Sequence, residues 1–358
     1  MIKIHFDSCR PLSVVLSGIG LLLAVFLAAC APPAQPTVES FRRAIGGGEK
    51  ESYLVSMESQ AVQAERDQQW QLAARYYFMS AKAAQAAGRV QKALAYGKKS
   101  FELSSKTQNY NAQASAARQI GGTLTALRAY DEAKEWLEKG LDISGNVRNP
   151  QRKDLLQALF LRTLAAIDLR QGSHQEAIKK LTRALELNEG SLRESGGNGK
   201  RRRRDNVKTT QHQTVRLLSM LGRAHWKSGN NAKALEYYER ASRLITEAGL
   251  QTFEQASIDY GVGQLYLTRG EYDRARKRLE AALSGAEKFD LPGVAIQVHS
   301  ALGSLHLRTR RPRAAIGHYR PAIEGVESVR SLLESVELRE SFLEDKRKLY
   351  AGMITAQL

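Results

Sequence analysis

Cysteine is scarce in this chain of 358 residues, and acidic residues are too few to balance the basic ones. The two cysteines, Cys9 and Cys30, both lie within the first thirty positions. The remaining sequence has no thiol, which excludes disulfides and a cysteine nucleophile there. Asp and Glu number 37 against 54 Lys and Arg, giving a formal net charge of +17. This excess favours acidic partners, although a merely solvated basic surface is an open alternative.

The common catalytic motifs are also missing. The sequence has no Gly-x-Ser-x-Gly and no dinucleotide-binding fingerprint, and none of its seven histidines stands in a His-Glu-x-x-His arrangement. Gly46–Gly48 follows no strand and precedes no Gly-Lys-Ser/Thr, so it does not form a phosphate-binding loop. We therefore predict a chain that is not an enzyme and that holds no cofactor or metal.

Helix-forming residues dominate, and small residues recur at fixed spacings. Five small anchors are followed twelve residues later by alanine, four further by a large residue, and three further by a small one. The anchors are Gly121, Ala165, Gly222, Gly263 and Gly303. The alanines are Ala133, Ala177, Ala234, Ala275 and Ala315. The large residues are Leu137, Leu181, Tyr238, Leu279 and Tyr319. The last small residues are Gly140, Ala184, Ala241, Ala282 and Ala322. Spacings of three, four and seven return to one helix face.

This pattern resembles the tetratricopeptide repeat, in which two short helices with small facing residues form one unit. The resemblance implies an all-α, right-handed α-solenoid of helix–turn–helix repeats with a period of about 40 residues. Anchor separations of 44, 57, 41 and 40 exceed the 34-residue form, so we expect each helix to be about one turn longer. A glycine at 229 is suited to the positive φ of the turn inside one repeat.

The first 29 residues have the features of a secretory signal peptide. Lys3 and Arg10 precede a mostly apolar stretch that ends in Leu-Ala-Ala-Cys at Cys30. These four residues resemble the lipobox of bacterial lipoproteins, which implies that Cys30 becomes a lipidated N-terminus. An ordinary cleaved signal or an uncleaved helix is the alternative. Because Ala31 follows the cysteine, the resemblance favours the outer membrane, with the protein facing the periplasm.

The predicted domains are a signal peptide (1–29), a lipidated, flexible tether (30–50), a solenoid (51–325) and a C-terminal helical cap (326–358). Helices are expected near 51–66, 70–87 and 89–105. Two stretches have the features of a second helix of a repeat, namely Trp70 to Ala73 with Tyr77, and Val90 with Leu94. These two stretches start only twenty residues apart. The repeat phase there is unclear from sequence, and we place the in-phase array between about 109 and 322.

An insertion at 191–206 lengthens one repeat by about sixteen residues. It contains three glycines and a run of five basic residues, and we predict a loop. The run forms a candidate patch for polyanions, although a solvated loop without a ligand explains it equally well. Its members are Lys200, Arg201, Arg202, Arg203 and Arg204.

The first helices of such repeats line a concave groove that accepts a peptide in this family. Polar, basic and aromatic residues next to the anchors are the predicted groove residues. They are Arg118, Arg162, Arg216, Ser219, Arg223, Trp226, Tyr260, Gln264, Gln297, Ser300 and Ser304. Arginine pairs bidentately with carboxylates, so we hypothesise an acidic peptide partner. The alternative is that these arginines are only solvated or meet neighbouring acidic residues. The Lys and Asn of the family's carboxylate clamp are not matched.

The C-terminal segment from Val326 to Leu358 resembles the linker between tetratricopeptide arrays and CHAT domains, which are caspase-like peptidases. Glu327 to Arg330, Glu337 to Arg339 and Tyr350 carry this resemblance. No CHAT peptidase sequence is present in the chain, so a capping helix is the other interpretation. The sequence thus favours a lipid-anchored scaffold for protein interactions in the bacterial cell envelope. A regulatory part of a CHAT-type protease system and polyanion binding are the alternatives, and nucleic acid is disfavoured because envelope lipoproteins rarely meet it.

Overall fold

The structure is a computed structural model that describes residues 37–194, 202–250, 252–331 and 346–358. The predicted signal peptide, Cys30 and the first part of the tether lie outside these residues. The described helices, numbered α1 to α15 in chain order, are Val38–Gly46, Lys50–Arg66, Trp70–Ala86, Val90–Lys106, Tyr110–Ala126, Tyr130–Ser144, Pro150–Arg170, His174–Glu194, Arg202–Lys227, Asn231–Glu247, Glu254–Thr268, Tyr272–Lys288, Pro292–Arg308, Pro312–Ser331 and Arg347–Gln357.

Seven of the fifteen described helices have the same length of 17 residues. Helices α2 to α5 belong to this set and are separated by three-residue turns. The turns after α2, α3, α4 and α5 each place one residue at positive φ, at Gln68, Gly88, Gln108 and Arg128, which follow one another at intervals of twenty. Gly229 also has a positive φ of 86°, as predicted. Two such helices and their turns give the 40-residue period, and they are longer than those of the 34-residue repeat by the predicted turn.

The helices stack in pairs, as predicted for a solenoid of tetratricopeptide type. Each odd-numbered helix from α1 to α13 packs on the even-numbered helix that follows it, and odd-numbered helices also contact one another across neighbouring repeats. This arrangement places the odd-numbered helices along one wall. Within the described part of the chain there is no strand, and no described helix has both the length and the apolar content that a membrane span requires.

The repeated small residues set the distance between the two helices of a pair. A Cβ on Gly222 would lie 2.8 Å from the Tyr238 ring, and one on Gly303 would lie 2.6 Å from the Tyr319 ring. In the repeat anchored by Ala165, the facing residue is Leu181, and both are fully buried. A Cβ on Gly121 would also lie 2.6 Å from Leu137, and one on Gly263 would lie 2.8 Å from Leu279. The anchor therefore has to be small whether the facing side chain is a tyrosine or a leucine, which explains the spacing found in the sequence.

The repeat phase also continues towards the N-terminus, beyond the array that we predicted. The four signature positions recur 40 residues before Gly121 and its partners, at Ala81, Ala93, Gly97 and Ser100, which are all buried. Consequently α3, which begins at Trp70, is the first helix of a repeat, and its interpretation as a second helix was wrong. The helix that begins at Val90 is a second helix, as predicted.

Three predicted boundaries differ from the structure. The flexible tether predicted to extend to residue 50 contains α1, which packs on α2 and α3 because its apolar residues have a face to bury there. Helix α8 continues through 191–194, and α9 begins at Arg202, so the predicted loop at 191–206 was too long at both ends. Lys200 and Arg201 lie outside the described residues, whereas Arg202, Arg203 and Arg204 form the first turn of α9. The boundary between 325 and 326 falls inside α14, which continues the last pair to Ser331.

The C-terminal helix α15 caps the array, as predicted. It packs on α14 and α13. A Cβ on its Gly352 would lie 2.5 Å from the Tyr319 hydroxyl oxygen, so the two helices are in close contact. Residues 332–345, which carry part of the resemblance to the linker that precedes CHAT domains, lie outside the described residues.

Candidate peptide-binding groove

The predicted groove residues all lie on odd-numbered helices, and six of them meet around one cavity. Arg118 lies on α5, Arg162 on α7, and the others on α9, α11 and α13. The cavity has a volume of about 170 Å³. Its predicted members are Arg216, Ser219, Arg223, Trp226, Tyr260 and Gln297. Because α9 and α13 are two repeats apart, the wall must curve strongly enough to bring both to the same cavity.

One cavity arginine already has an acidic partner. The Arg216 guanidinium donates to Glu254 Oε1 from Nε at 2.9 Å and from Nη2 at 2.5 Å. The Glu254 side chain is only 7% exposed, and the Thr252 hydroxyl also donates to it. This ion pair joins α9 to the start of α11, so Arg216 helps to position the wall and is not available as an unpaired cation.

Arg223, in contrast to Arg216, has no acidic partner among the described residues. Its side chain is exposed, and it makes no hydrogen bond or ion pair with any residue that the structure describes. The concave wall around it limits contact with bulk water, which lowers the pKa of Arg223, and Arg170 lowers it further, while Tyr238 and Tyr260 raise it. The cavity therefore presents a cation without an ion-pair partner in the described part of the chain, flanked by two tyrosines, while the lining carboxylate, Glu254, is bound by Arg216.

Two further arginines extend this basic character along the wall. Burial lowers the pKa of Arg162, and the charges of Arg216 and Arg118 lower it further. Arg162 donates from Nη1 to Gln213 Oε1 at 2.8 Å, a neutral acceptor. The Arg118 Nε atom is buried without a hydrogen-bond partner among the described residues. Burial also lowers the pKa of Arg118, with Arg152 as the second cause. The guanidinium groups are thus mainly desolvated, and the neighbouring arginines add a smaller repulsion.

The C-terminal side of the cavity adds an aromatic surface and more basic residues. Lys227 Nζ lies 4.5 Å from the centre of the Trp226 ring, a cation–π arrangement. Burial lowers the pKa of Lys227, and the next causes are Lys348 of α15 and Arg223.

Five predicted residues lie outside the cavity lining. Gln264 donates from Nε2 to the Tyr260 hydroxyl at 3.2 Å and thereby orients a cavity residue. The Ser304 hydroxyl lies 3.2 Å from the Tyr319 hydroxyl, so it belongs to the packing of α13 on α14. Ser300 lies one turn before Ser304 on the same helix. Arg118 and Arg162 lie on α5 and α7, further along the wall.

Several lining residues were not predicted as groove residues. They are Met220, Tyr238, Glu254, Ser257, Gly261 and Val294. Tyr238 was predicted only as a residue that packs the two helices of a repeat. The signal that could have placed it in the groove is Gly261, a second glycine beside its ring. A Cβ on Gly261 would meet the Tyr238 ring, just as one on Gly222 would. Tyr238 is therefore wedged between α9 and α11 and forms part of the groove floor.

Comparisons with known proteins agree with this architecture. A family model described as tetratricopeptide repeat matches residues 219–286 and 260–324. No curated protein sequence matches the chain. Among solved structures, the chain resembles the apo form of RapI, with 15% identity, a TM-score of 0.55, and coverage of 79% of this chain and 99% of that one.

Two other solved structures are similar. BtubC from P. vanneervenii has 14% identity and a TM-score of 0.53, with coverage of 68% of this chain and 92% of that one. The Rap conjugation gene regulator of plasmid pLS20, in complex with the Phr* peptide, has 12% identity and a TM-score of 0.54, with coverage of 86% and 92%. At these identities the likeness concerns the fold alone. The chain thus carries tetratricopeptide repeats, a generally non-catalytic architecture with a concave surface suited to protein–protein interaction.

Proposed function

We propose that this chain is a membrane-tethered scaffold whose groove binds an acidic segment of a partner protein. The observation that carries the proposal is Arg223, an exposed guanidinium in a concave cavity that has no ion-pair partner among the described residues, since the Glu254 carboxylate in the lining is bound by Arg216. Arg118 and Arg162 on the same wall have their pKa lowered by burial and by neighbouring cations. A carboxylate placed beside these groups relieves their mutual repulsion and satisfies their unused N–H donors.

The cavity is suited to one side chain of an extended or helical segment. It is too small for a folded domain, and its lining combines Arg223 with the faces of Trp226 and Tyr260. An Asp or Glu side chain can accept two hydrogen bonds from Arg223, while an adjacent apolar side chain contacts the aromatic rings. One similar solved structure, the pLS20 regulator, is a complex with a peptide, which supports a ligand of this size.

A peptide series tests this binding mode. Labelled ten-residue peptides with no, one, two or three Glu residues in a constant Ser/Ala/Leu background are titrated with the purified chain by fluorescence anisotropy. Hydrogen bonds to charged groups contribute about 1.5–3 kcal/mol. We therefore expect Arg223→Gln to weaken the binding of the acidic peptides about 10- to 100-fold.

Arg243→Gln is the matched control, since Arg243 is exposed on the even-numbered helix α10 and has no partner among the described residues. It removes the same charge without changing the groove, so the affinity should stay at the wild-type value. Equal affinities for acidic and neutral peptides, or equal losses from the two substitutions, would overturn the proposal.

The membrane tether is a separate part of the proposal, and it is supported by the Leu-Ala-Ala-Cys sequence that ends at Cys30. Two or more acyl chains on that cysteine are sufficient for stable attachment, because each buried methylene contributes about 0.8 kcal/mol. We expect the full chain, expressed in a bacterium with an outer membrane, to incorporate an alkyne-labelled palmitate and to fractionate with the outer membrane. Cys30→Ser should abolish both, whereas Cys9→Ser should not. A soluble wild-type protein without label would refute the tether and leave the groove proposal untouched.

A further inference from the structure

Three histidines lie side by side where α13 packs on α14. His299 and His306 belong to α13, and His318 belongs to α14. The Nδ1 atoms of His299 and His318 are 3.1 Å apart, and the two ring centres are separated by 5.4 Å. The rings of His306 and His318 stack with a 5.3 Å separation and an angle of 6°. These three residues are called the histidine cluster below.

The contacts within the cluster require at least one neutral ring in each contacting pair. An Nδ1–Nδ1 hydrogen bond needs one ring to donate and the other to accept, which a pair of imidazolium ions cannot do because both of their nitrogens are donors. The Nδ1 atom of His306 is buried and has no hydrogen-bond partner among the described residues. Stacked rings at 5.3 Å would repel each other if both were charged.

The charged groups around the cluster do not compensate for protonation. From α12, Glu287 and Glu280 favour the charged forms of the nearest histidines, while Arg276 opposes it. Arg311, in the turn before α14, opposes it as well. No described acidic residue forms an ion pair with a cluster histidine. On α15, which packs against both helices, the charged residues are Arg347 and Lys348, and these basic groups supply no counter-charge to the cluster.

We propose that the histidine cluster is a pH-sensitive latch that holds α13 on α14 near neutral pH and releases this pair when acidification protonates the rings. The inference goes beyond the proposed function and does not depend on it. Three predicted groove residues, Gln297, Ser300 and Ser304, lie on α13, so release of the latch would also deform the C-terminal end of the groove.

The pKa shifts of the three histidines give the direction of the stability change and the pH range in which it occurs. Burial lowers the pKa of each of the three histidines, and it lowers the pKa of His318 to about 4, with His299 and His306 as the next causes. Between the ordinary value of 6.5 and about 4, the unfolded chain binds a proton that the folded chain rejects. Stability is therefore lost as the pH falls through this window. One pKa unit is a tenfold factor, so His318 alone shifts the unfolding equilibrium by about two orders of magnitude.

The test compares the full chain with His318→Gln by thermal unfolding at pH 7.5, 6.5, 5.5 and 4.5, with EDTA present throughout to exclude adventitious metal ions. His212→Gln is the matched control, since His212 lies on α9, away from the cluster. We expect the unfolding temperature of the wild type and the control to fall more steeply below pH 6.5 than that of His318→Gln. Hydrogen–deuterium exchange, corrected for the intrinsic pH effect, should show protection lost first in 292–331.

An equal pH dependence in the wild type and His318→Gln, or protection in 292–331 that is the same at pH 4 as at pH 7.5, would overturn the latch. If His318→Gln does not fold at pH 7.5, His299→Gln takes its place, because it removes the other partner of the 3.1 Å contact. The same comparison then decides the question.

Discussion

A single methyl group added at Gly222 should destabilise the repeat that forms the floor of the groove. The Cβ of Gly222→Ala would lie 2.8 Å from Cδ1 and Cε1 of Tyr238, whose side chain is 2% exposed and wedged between α9 and α11. Gly261 approaches the ring from the other side and prevents it from moving away. Overpacking of this kind costs about 1–3 kcal/mol.

A double-mutant cycle isolates that contact. At the equivalent positions of the preceding repeat, Ala165 faces Leu181, and both are fully buried. Gly121 and Gly263 also face leucines, and an added Cβ would lie 2.6 Å from Leu137 and 2.8 Å from Leu279, so a leucine has to turn its branched end aside to admit a methyl group. Because a leucine end can turn and a wedged ring cannot, Gly222→Ala should cost less in the Tyr238→Leu background than in the wild type. The two substitutions should show a favourable coupling of about 1–2 kcal/mol.

Urea unfolding followed by circular dichroism at 222 nm measures the cycle. Gly122→Ala is the control, since Gly122 lies within α5 and a Cβ there would have no neighbour within 4 Å. Alanine favours helix over glycine by about 0.8–1 kcal/mol at both sites, so this contribution cancels in the comparison. The remaining difference in the free energy of unfolding between Gly122→Ala and Gly222→Ala measures the clash with Tyr238. A coupling below about 0.3 kcal/mol, or equal effects of Gly122→Ala and Gly222→Ala, would refute the wedge.

Three further predictions concern charges. Glu254→Gln leaves Arg216 without its buried carboxylate, so we expect a loss of about 1–3 kcal/mol in the free energy of unfolding by urea, and no loss would contradict the proposed link between repeats. The pKa of Glu65 is lowered, chiefly by its hydrogen bond with Lys99, so its contribution is present above the unfolded pKa and is lost as the pH falls through the lower folded value. Glu65→Gln should therefore flatten the acid side of a urea-stability curve between pH 3 and 6, and an unchanged slope would exclude this role. Replacing Lys200–Arg204 by Gly and Ser should weaken heparin binding in a salt series without changing the affinity for acidic peptides. The reason is that the patch ends twelve residues, about 18 Å along α9, before the first cavity residue. A parallel loss of both affinities would place the patch in the groove.

The repeat architecture could be predicted from the sequence because contact between paired helices restricts the residue types at a few fixed spacings. Gly222 and Tyr238 illustrate this restriction, since the ring leaves no room for a Cβ. The N-terminal repeat was missed because Ala93 and Gly97 present no large residue at the signature positions. Helices of equal length also make first and second helices look alike at twenty-residue intervals, which produced the wrong interpretation of Trp70.

The candidate groove could be predicted only in part. A position beside an anchor predicts that a side chain lies on the wall of odd-numbered helices. This reasoning identified Arg223 and Tyr260 as groove residues. Which residues converge on one cavity depends on the curvature of the stack, which no local pattern encodes. The pairing of Arg216 with Glu254, 38 residues later, depends on that curvature and on the turn before α11.

Site-specific photocrosslinking tests the central claim, that the partner binds in the groove. A benzophenone amino acid is placed at Gln297, which lines the cavity, or at Arg243 on α10. Cells that express the full chain are then irradiated. We expect one discrete adduct from position 297, weakened by Arg223→Gln, and none from position 243. Adducts that form equally from both positions, or that persist undiminished with Arg223→Gln, would contradict it.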